Sequence, residues 1–241
     1  MVPVEVGNDV DACIRFYNDQ CLHGLVTQQL PSSGDVTSCI QSIQSGPCDY
    51  VRTPQDSPAC GWLDGGADAG VAGAVTEFPL PTASAEPEGI ASGPDGNLWF
   101  TESANGANKI GRVTTAGAIT EFSIPTASAG PSGITSGPDG ALWFTESNAN
   151  YIGRITTAGA ITEYPVPTAS AAPDGIVSGS DGNLWFTEYH GNNIGRITTA
   201  GVFTEFAVPT GASEPEGIVS GPDGNLWFTE WVGNNIGRMA P

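Results

Sequence analysis

The chain has 241 residues, 39% of them apolar, and a formal net charge of −19 from 26 acidic side chains against seven lysines and arginines. So few cations make it a poor ligand for a phosphate backbone, and no apolar run approaches the roughly 18 residues of a membrane span. Nucleic-acid binding and membrane spanning are therefore set aside. The 33 glycines and 19 prolines recur at fixed positions, which fits a turn-rich all-β chain rather than disorder.

Residues 1–63 read as a small helical domain. Val10, Cys13, Ile14, Tyr17 and Cys21 fall at helical spacing behind Asn8 or Asp9, and Val36, Cys39, Ile40 and Ile43 do so behind Asp35. Gly46-Pro47 ends the second helix. Cys13 and Cys21 lie eight residues apart, about 12 Å along a helix, too far for a mutual disulfide. Cys39, Cys48 and Cys60 are their candidate partners, leaving one cysteine over. No zinc-type spacing occurs, so the cysteines read as disulfide staples of an exported domain or as buried thiols. The first 25 residues hold no signal-peptide core, because Asp9, Asp11 and Asp19 interrupt them. The cysteines alone suggest an extracytoplasmic, secreted or periplasmic setting. Residues 64–74, DGGADAGVAGA, read as a linker.

From residue 75 onwards one phrase is repeated four times: GPDGNLWFTE at 93–102, GPDGALWFTE at 137–146, GSDGNLWFTE at 179–188 and GPDGNLWFTE at 221–230. Its tryptophans, Trp99, Trp143, Trp185 and Trp227, are spaced 44, 42 and 42 residues apart. A period near 40 marks a repeat architecture. In the third unit, ITEYPVP (161–167), GIVSG (175–179), NLWFTE (183–188) and IGRITT (194–199) read as short strands, with Ser180-Asp181-Gly182 as the turn. Four meandering strands in about 42 residues describe a β-propeller blade. The expected fold is all-β: a small propeller of four four-stranded blades over residues 75–241, behind the helical domain. TEFPLP (76–81) is expected to add the missing outer strand to the last blade and close the ring.

The hairpins single out acidic positions. About a turn centred on Asp95, Glu88 and Glu102 are equidistant and so face each other. The same arithmetic pairs Asp174 with Glu188 and Glu216 with Glu230, while in the second unit Ser132 meets Glu146. Opposed like charges need compensation, from a hard cation, from Arg112, Arg154, Arg196 and Arg238 at the IGR positions, or from water. Tyr189, His190 and Trp231 follow the WFTE strands and are candidate rim residues for a ligand at the propeller mouth. The GPDG segments read as turns, since one acid per turn is too few for a calcium loop.

The units PEGIASGPDGNLWFTE, NNIGRITTAG and ITEYPVPT resemble those of the streptogramin B lyases (virginiamycin B lyase) and their lyase-like relatives, over residues 75–238. The resemblance implies a seven-bladed propeller that opens a cyclic depsipeptide antibiotic by magnesium-assisted elimination, and so a role in antibiotic resistance. It places the catalytic base after the proline of P-x-G-I, a histidine in the catalytic blade of the lyases. Here that position holds Glu88, Ser132, Asp174 and Glu216, and no blade carries histidine. The magnesium-holding glutamates of the family map onto Glu86 and Glu214 and onto Glu102 and Glu230, with Glu146 and Glu188 in the same WFTE position of the other blades. The implied cofactor is Mg2+, with Ca2+ as the other hard cation.

Three functions stay open. With no blade visibly specialised, an exported propeller binding a small-molecule or protein ligand ranks first and a magnesium-dependent carbon–oxygen lyase second. A lactonase-type metallohydrolase would draw on Asn108, Asn150, Asn193 or Asn235 with glutamate.

Overall fold

Each repeat folds into one antiparallel sheet in the computed structural model, which describes residues 75–241. The first sheet holds β1 (Pro87–Ser92), β2 (Leu98–Glu102), β3 (Lys109–Val113) and β4 (Ile119–Ser123) in that spatial order. The second holds β5 (Pro131–Ser136), β6 (Leu142–Glu146), β7 (Tyr151–Ile155) and β8 (Ile161–Pro165). The third holds β9 (Pro173–Ser178), β10 (Leu184–Glu188), β11 (Asn193–Ile197) and β12 (Phe203–Ala207). The fourth has three strands, β13 (Pro215–Ser220), β14 (Leu226–Glu230) and β15 (Asn235–Met239). The all-β reading and the strand meander of each blade hold. The helical domain, its five cysteines and the linker lie outside the described residues.

The turn chemistry is local. Gly93 N–H donates to the Asn97 carbonyl at 2.7 Å, and Gly96 takes a φ of 76° that suits glycine. Asp95 Oδ1 accepts both the Asn97 N–H (3.3 Å) and the Trp99 indole N–H (3.0 Å). The aspartate thus ties the turn to the core tryptophan, and Asp139, Asp181 and Asp223 do the same in their blades.

Packing between blades follows a formula. One blade contributes Trp99 and Ile110, with Ile124 just after its outer strand, and the next contributes Ile134, Leu142, Phe144 and Ile155. Trp143, Ile152 and Val166 meet Ile176, Leu184, Phe186 and Ile197 in the same way. Trp185, Ile194 and Val208 meet Ile218, Leu226 and Phe228. In the second and third blades the LWF triplet is thus wholly buried because its two faces serve two different interfaces, which explains its lack of alternation. The IGR glycine is steric: a Cβ on Gly153 would fall inside the Phe144 ring of the adjacent strand.

The arginines do not balance the WFTE glutamates. They lie at the opposite, turn end of the blades: Arg154 Nε is 2.7 Å from Asp139 Oδ2, and Arg112 and Arg238 lie 3.9 and 3.8 Å from Asp95 and Asp223. Their guanidinium groups also cover the indole faces, at 5.5 to 5.9 Å from the ring centroids of Trp99, Trp143, Trp185 and Trp227.

Ring closure by residues 76–81 is not what the structure does. That segment forms no strand, and it stands against the first blade rather than completing the fourth. Phe78 packs on Gly117 as Phe122 packs on Gly159 and Tyr164 on Gly201. Thr82 gives its N–H and hydroxyl to the Glu121 carboxylate, as Thr168 gives both to Glu205. Residues 78–82 therefore occupy the place of the outer strand of a blade preceding the first. A bulky outer aromatic and a threonine cap can only be used where a next blade supplies the glycine and the glutamate, and the first blade supplies both.

Candidate functional site

The inner strands β1, β5, β9 and β13 lie side by side and bring Glu88, Ser132, Asp174 and Glu216 into one row. They line an open groove of roughly 390 Å3, with Gly89, Gly133 and Gly175 between them. The glycines let neighbouring inner strands touch, since a Cβ on Gly133 would lie 2.6 Å from the Asp174 carbonyl oxygen. Ser132 Oγ is 2.8 Å from Glu88 Oε1 and 2.6 Å from Asp174 Oδ1. One hydroxyl hydrogen serves one carboxylate at a time, so the row carries negative charge that its own donors do not neutralise.

The expected pairing of Glu88 with Glu102 is not formed. Regular register holds for Ile90 opposite Phe100, Ala91 opposite Trp99 and Ser92 opposite Leu98, but a bulge then places Pro87 opposite Glu102. The Gly89 N–H turns to the Thr101 hydroxyl at 2.9 Å. The same shift puts Pro131, Pro173 and Pro215 opposite Glu146, Glu188 and Glu230. The bulge separates the two acids of each blade, sending the inner one to the groove and the outer one into the protein.

Glu102, Glu146 and Glu188 are fully buried and Glu230 nearly so. The group that faces each of the first three comes from the outer strand: Glu121, Glu163 and Glu205. Sequence reading passed over these residues, although a glutamate in every TEF or TEY outer strand was a visible repeat. Burial, reinforced by Glu163, pushes Glu146 up to about 8. Burial and Glu121 raise Glu102 to about 7 against the opposing pull of Lys109. Burial raises Glu188 to about 7, with an Asn193 amide hydrogen bond of 2.8 Å opposing and Glu205 adding to the rise. In the first blade Lys109 Nζ sits 2.6 Å from Glu121 Oε2. Tyr151, Asn193 and Asn235 stand opposite the other three WFTE glutamates, so no cation is supplied there.

The glutamates that the lyase resemblance would assign to magnesium sit in two different settings. Both carboxylate oxygens of Glu102 and Glu146 are shut away from solvent, without room for the hydrated ion that Mg2+ prefers to remain. Glu86 and Glu214 lie on left-handed residues (φ of 51°) just before the inner strands, and Glu214 Oε2 already accepts the Tyr189 hydroxyl at 2.7 Å. Among the described residues no three His, Cys, Asp or Glu side chains form a metal-ligand group. This arrangement does not fit a magnesium site.

A second, larger hollow of roughly 660 Å3 adjoins the groove through Asp174 and is lined by Ser147, Asn148, Asn150, Tyr189 and His190 among others. Tyr189 and His190 line this hollow, their rings 5.1 Å apart edge to face. Trp231, in the fourth blade, is 64% exposed and lines neither hollow. The asparagines are occupied structurally. Asn108 donates to the Thr126 carbonyl at 2.8 Å and accepts the Ala129 N–H at 2.7 Å, and Asn150 and Asn192 clamp the corresponding loops. Asn193 and Asn235 hydrogen-bond to the buried Glu188 and Glu230. No helix among the described residues is long and apolar enough to cross a membrane.

Comparison with known proteins places these features. A catalytically inactive histidine-to-alanine variant of the virginiamycin B lyase from Staphylococcus aureus, solved with quinupristin, is 49% identical. The alignment covers 70% of this chain and 57% of that one, with a TM-score of 0.68. The selenomethionine-substituted virginiamycin B lyase from Staphylococcus aureus is 46% identical over 71% of this chain and 61% of that one, TM-score 0.66. A streptogramin B lyase structure is 46% identical over 69% and 58%, TM-score 0.63. The chain thus spans less than two thirds of the lyases it matches. No curated protein sequence matches it. Residues 67–241 match the profile of the virginiamycin B lyase family, and the chain belongs to that family.

Proposed function

We propose that the chain is a binding propeller of the virginiamycin B lyase family that takes a cationic ligand in the inner-strand groove and does not open streptogramins. The observation that carries this is the row Glu88, Ser132, Asp174 and Glu216, which occupies the family's base position in all four blades. Elimination needs a base that is free at neutral pH yet basic enough to take a carbon-bound proton, a balance suited to histidine. The inactive lyase variant solved with quinupristin is a histidine replacement. An acidic row beside aromatic rim residues suits an ammonium or guanidinium group instead.

Isothermal titration with spermidine tests the reading. Binding is expected at low salt, weakening as ionic strength rises, and lost in Glu88→Gln combined with Asp174→Asn. Incubation with quinupristin and magnesium, followed by mass spectrometry, is expected to leave the macrocycle intact. Ring opening by the unmodified protein, or spermidine binding untouched by the double substitution, overturns the proposal.

A further inference from the structure

The four repeats agree in their scaffold and differ in the loops that surround the second hollow. After the WFTE glutamate they read Ser103-Ala104, Ser147-Asn148, Tyr189-His190 and Trp231-Val232. The residue before the inner-strand proline differs as well, being Glu86, Gly130, Ala172 and Glu214 in turn. Glu86, Ala172 and Glu214 share a left-handed φ of 51°, so they hold the same place in their blades. At Ala172 the long carboxylate side chain of its counterparts is missing. The hollow of roughly 660 Å3 opens there, between Ser147-Asn148 of the second blade and Tyr189-His190 of the third. Both blades lie inside the array, each packed against a blade on either side, so described neighbours make the walls.

The lining points to a hydrophilic occupant. Sites for apolar molecules are lined mainly by hydrophobic side chains, whereas no aliphatic side chain larger than alanine lines this one. Asn148, Ser170 and His190 offer an amide, a hydroxyl and an imidazole, each able to donate and to accept a hydrogen bond. The Ser147 hydroxyl is already given to the Pro173 carbonyl at 2.5 Å, and the Asn150 amide to the Val166 and Thr168 carbonyls. The Tyr189 ring is held in place, because its hydroxyl donates to Glu214 Oε2 at 2.7 Å and His190 meets it edge to face. A fixed flat ring is a platform on which the C–H face of another ring can be buried. Asp174 lines both this hollow and the inner-strand groove, so a molecule in the hollow reaches the acidic row through it.

We infer that the ligand is an amino sugar or a short amino-sugar oligomer, with its ammonium group against Asp174 and a sugar ring on Tyr189. Its hydroxyls then hydrogen-bond with Asn148, Ser170 and His190. The inference rests on the reading that the acidic row takes a cation, and it supplies the body to which that cation belongs. An aliphatic or aromatic amine of the same charge would cover those three polar groups without pairing them, which costs free energy, whereas a polyol pairs them. A linear polyamine would leave the hollow unused.

Isothermal titration of the full chain with the glucosamine trisaccharide, its fully N-acetylated form and spermidine tests this, at about pH 6 so that the amines are charged. The glucosamine trisaccharide is expected to bind at least about tenfold more tightly than the N-acetylated form, which has the hydroxyls but no cation. Asn148→Ala combined with Ser170→Ala is expected to weaken the trisaccharide about tenfold and leave spermidine unchanged. Both residues are exposed, and alanine already occupies the same left-handed conformation at Ala172, so the double variant should fold, as tryptophan fluorescence can establish. Spermidine binding without trisaccharide binding overturns the inference and leaves the cation reading standing. So does trisaccharide binding that N-acetylation or the double substitution leaves unaltered, and so does a double substitution that weakens both ligands alike. If neither ligand binds, the inference and the reading beneath it both fall.

Discussion

Glu146 should make the protein less stable as pH rises, and Glu146→Gln should remove part of that dependence. The carboxyl is fully buried, has no hydrogen-bond partner for either oxygen, and faces Glu163. Its proton is therefore held up to about pH 8, against an ordinary 4.5. A folded value above the unfolded one means that the folded state binds the extra proton between pH 4.5 and 8, so stability falls across that window and levels off above it. At about 1.4 kcal/mol per unit, the displacement sets a ceiling on the order of 5 kcal/mol. Half of that is a reasonable expectation once water penetration and relaxation are allowed for. Glutamine is nearly isosteric, cannot ionise, and can donate its amide to Glu163. The variant should match the parent near pH 5 and exceed it at pH 9 by about 2–3 kcal/mol, or about 4–12 °C in Tm at 2–4 °C per kcal/mol for a unit of this size. The assay is urea unfolding at pH 5, 7 and 9 read by tryptophan fluorescence, with the exposed Glu77→Gln as control. Glu102 and Glu188, raised for the same reason, leave the variant a residual slope of the same sign. Parallel stability curves for parent and Glu146→Gln from pH 5 to 9 would refute the reasoning.

Gly153→Ala should cost about 1–3 kcal/mol in urea unfolding, because its Cβ falls inside the Phe144 ring and the ring is locked in the interface between the first two blades. Asn150→Ala should cost about 2–3 kcal/mol by the same assay, since it strands the Val166 and Thr168 carbonyls and the Ala171 N–H and puts alanine at a φ of 65°. An effect below about 0.5 kcal/mol at that position would show that water replaces the clamp.

Much of the blade was legible before any coordinates. The strand bounds in the third unit agree within two residues with Ile161–Pro165, Pro173–Ser178, Leu184–Glu188 and Asn193–Ile197. The groove row was legible too, though for a reason that proved wrong. Symmetry about the turn predicted Glu88 opposite Glu102, and the bulge between Pro87 and Ile90 breaks that symmetry. A bulge is invisible to residue counting, because it depends on where the Gly89 N–H finds its partner, and that partner is a side chain on the neighbouring strand.

The repeat phrase, its period and its turn residues determined by themselves that the chain would make blades, since the Asp–Gly turns, the LWF strands and the buried-glycine contacts are all settled within one unit. What only the tertiary structure decided is how the units meet. Whether 76–81 closes the ring depends on the rotation between neighbouring blades, a quantity set by side-chain packing at three interfaces and encoded in no single repeat. Whether a WFTE glutamate meets a cation, a proton or water likewise depends on residues some 17–19 positions away on the outer strand. Burial is a property of the assembled neighbours, which shut Glu102 and Glu146 in and raise their proton affinity, while Glu88, fourteen residues before Glu102, lies open to the groove.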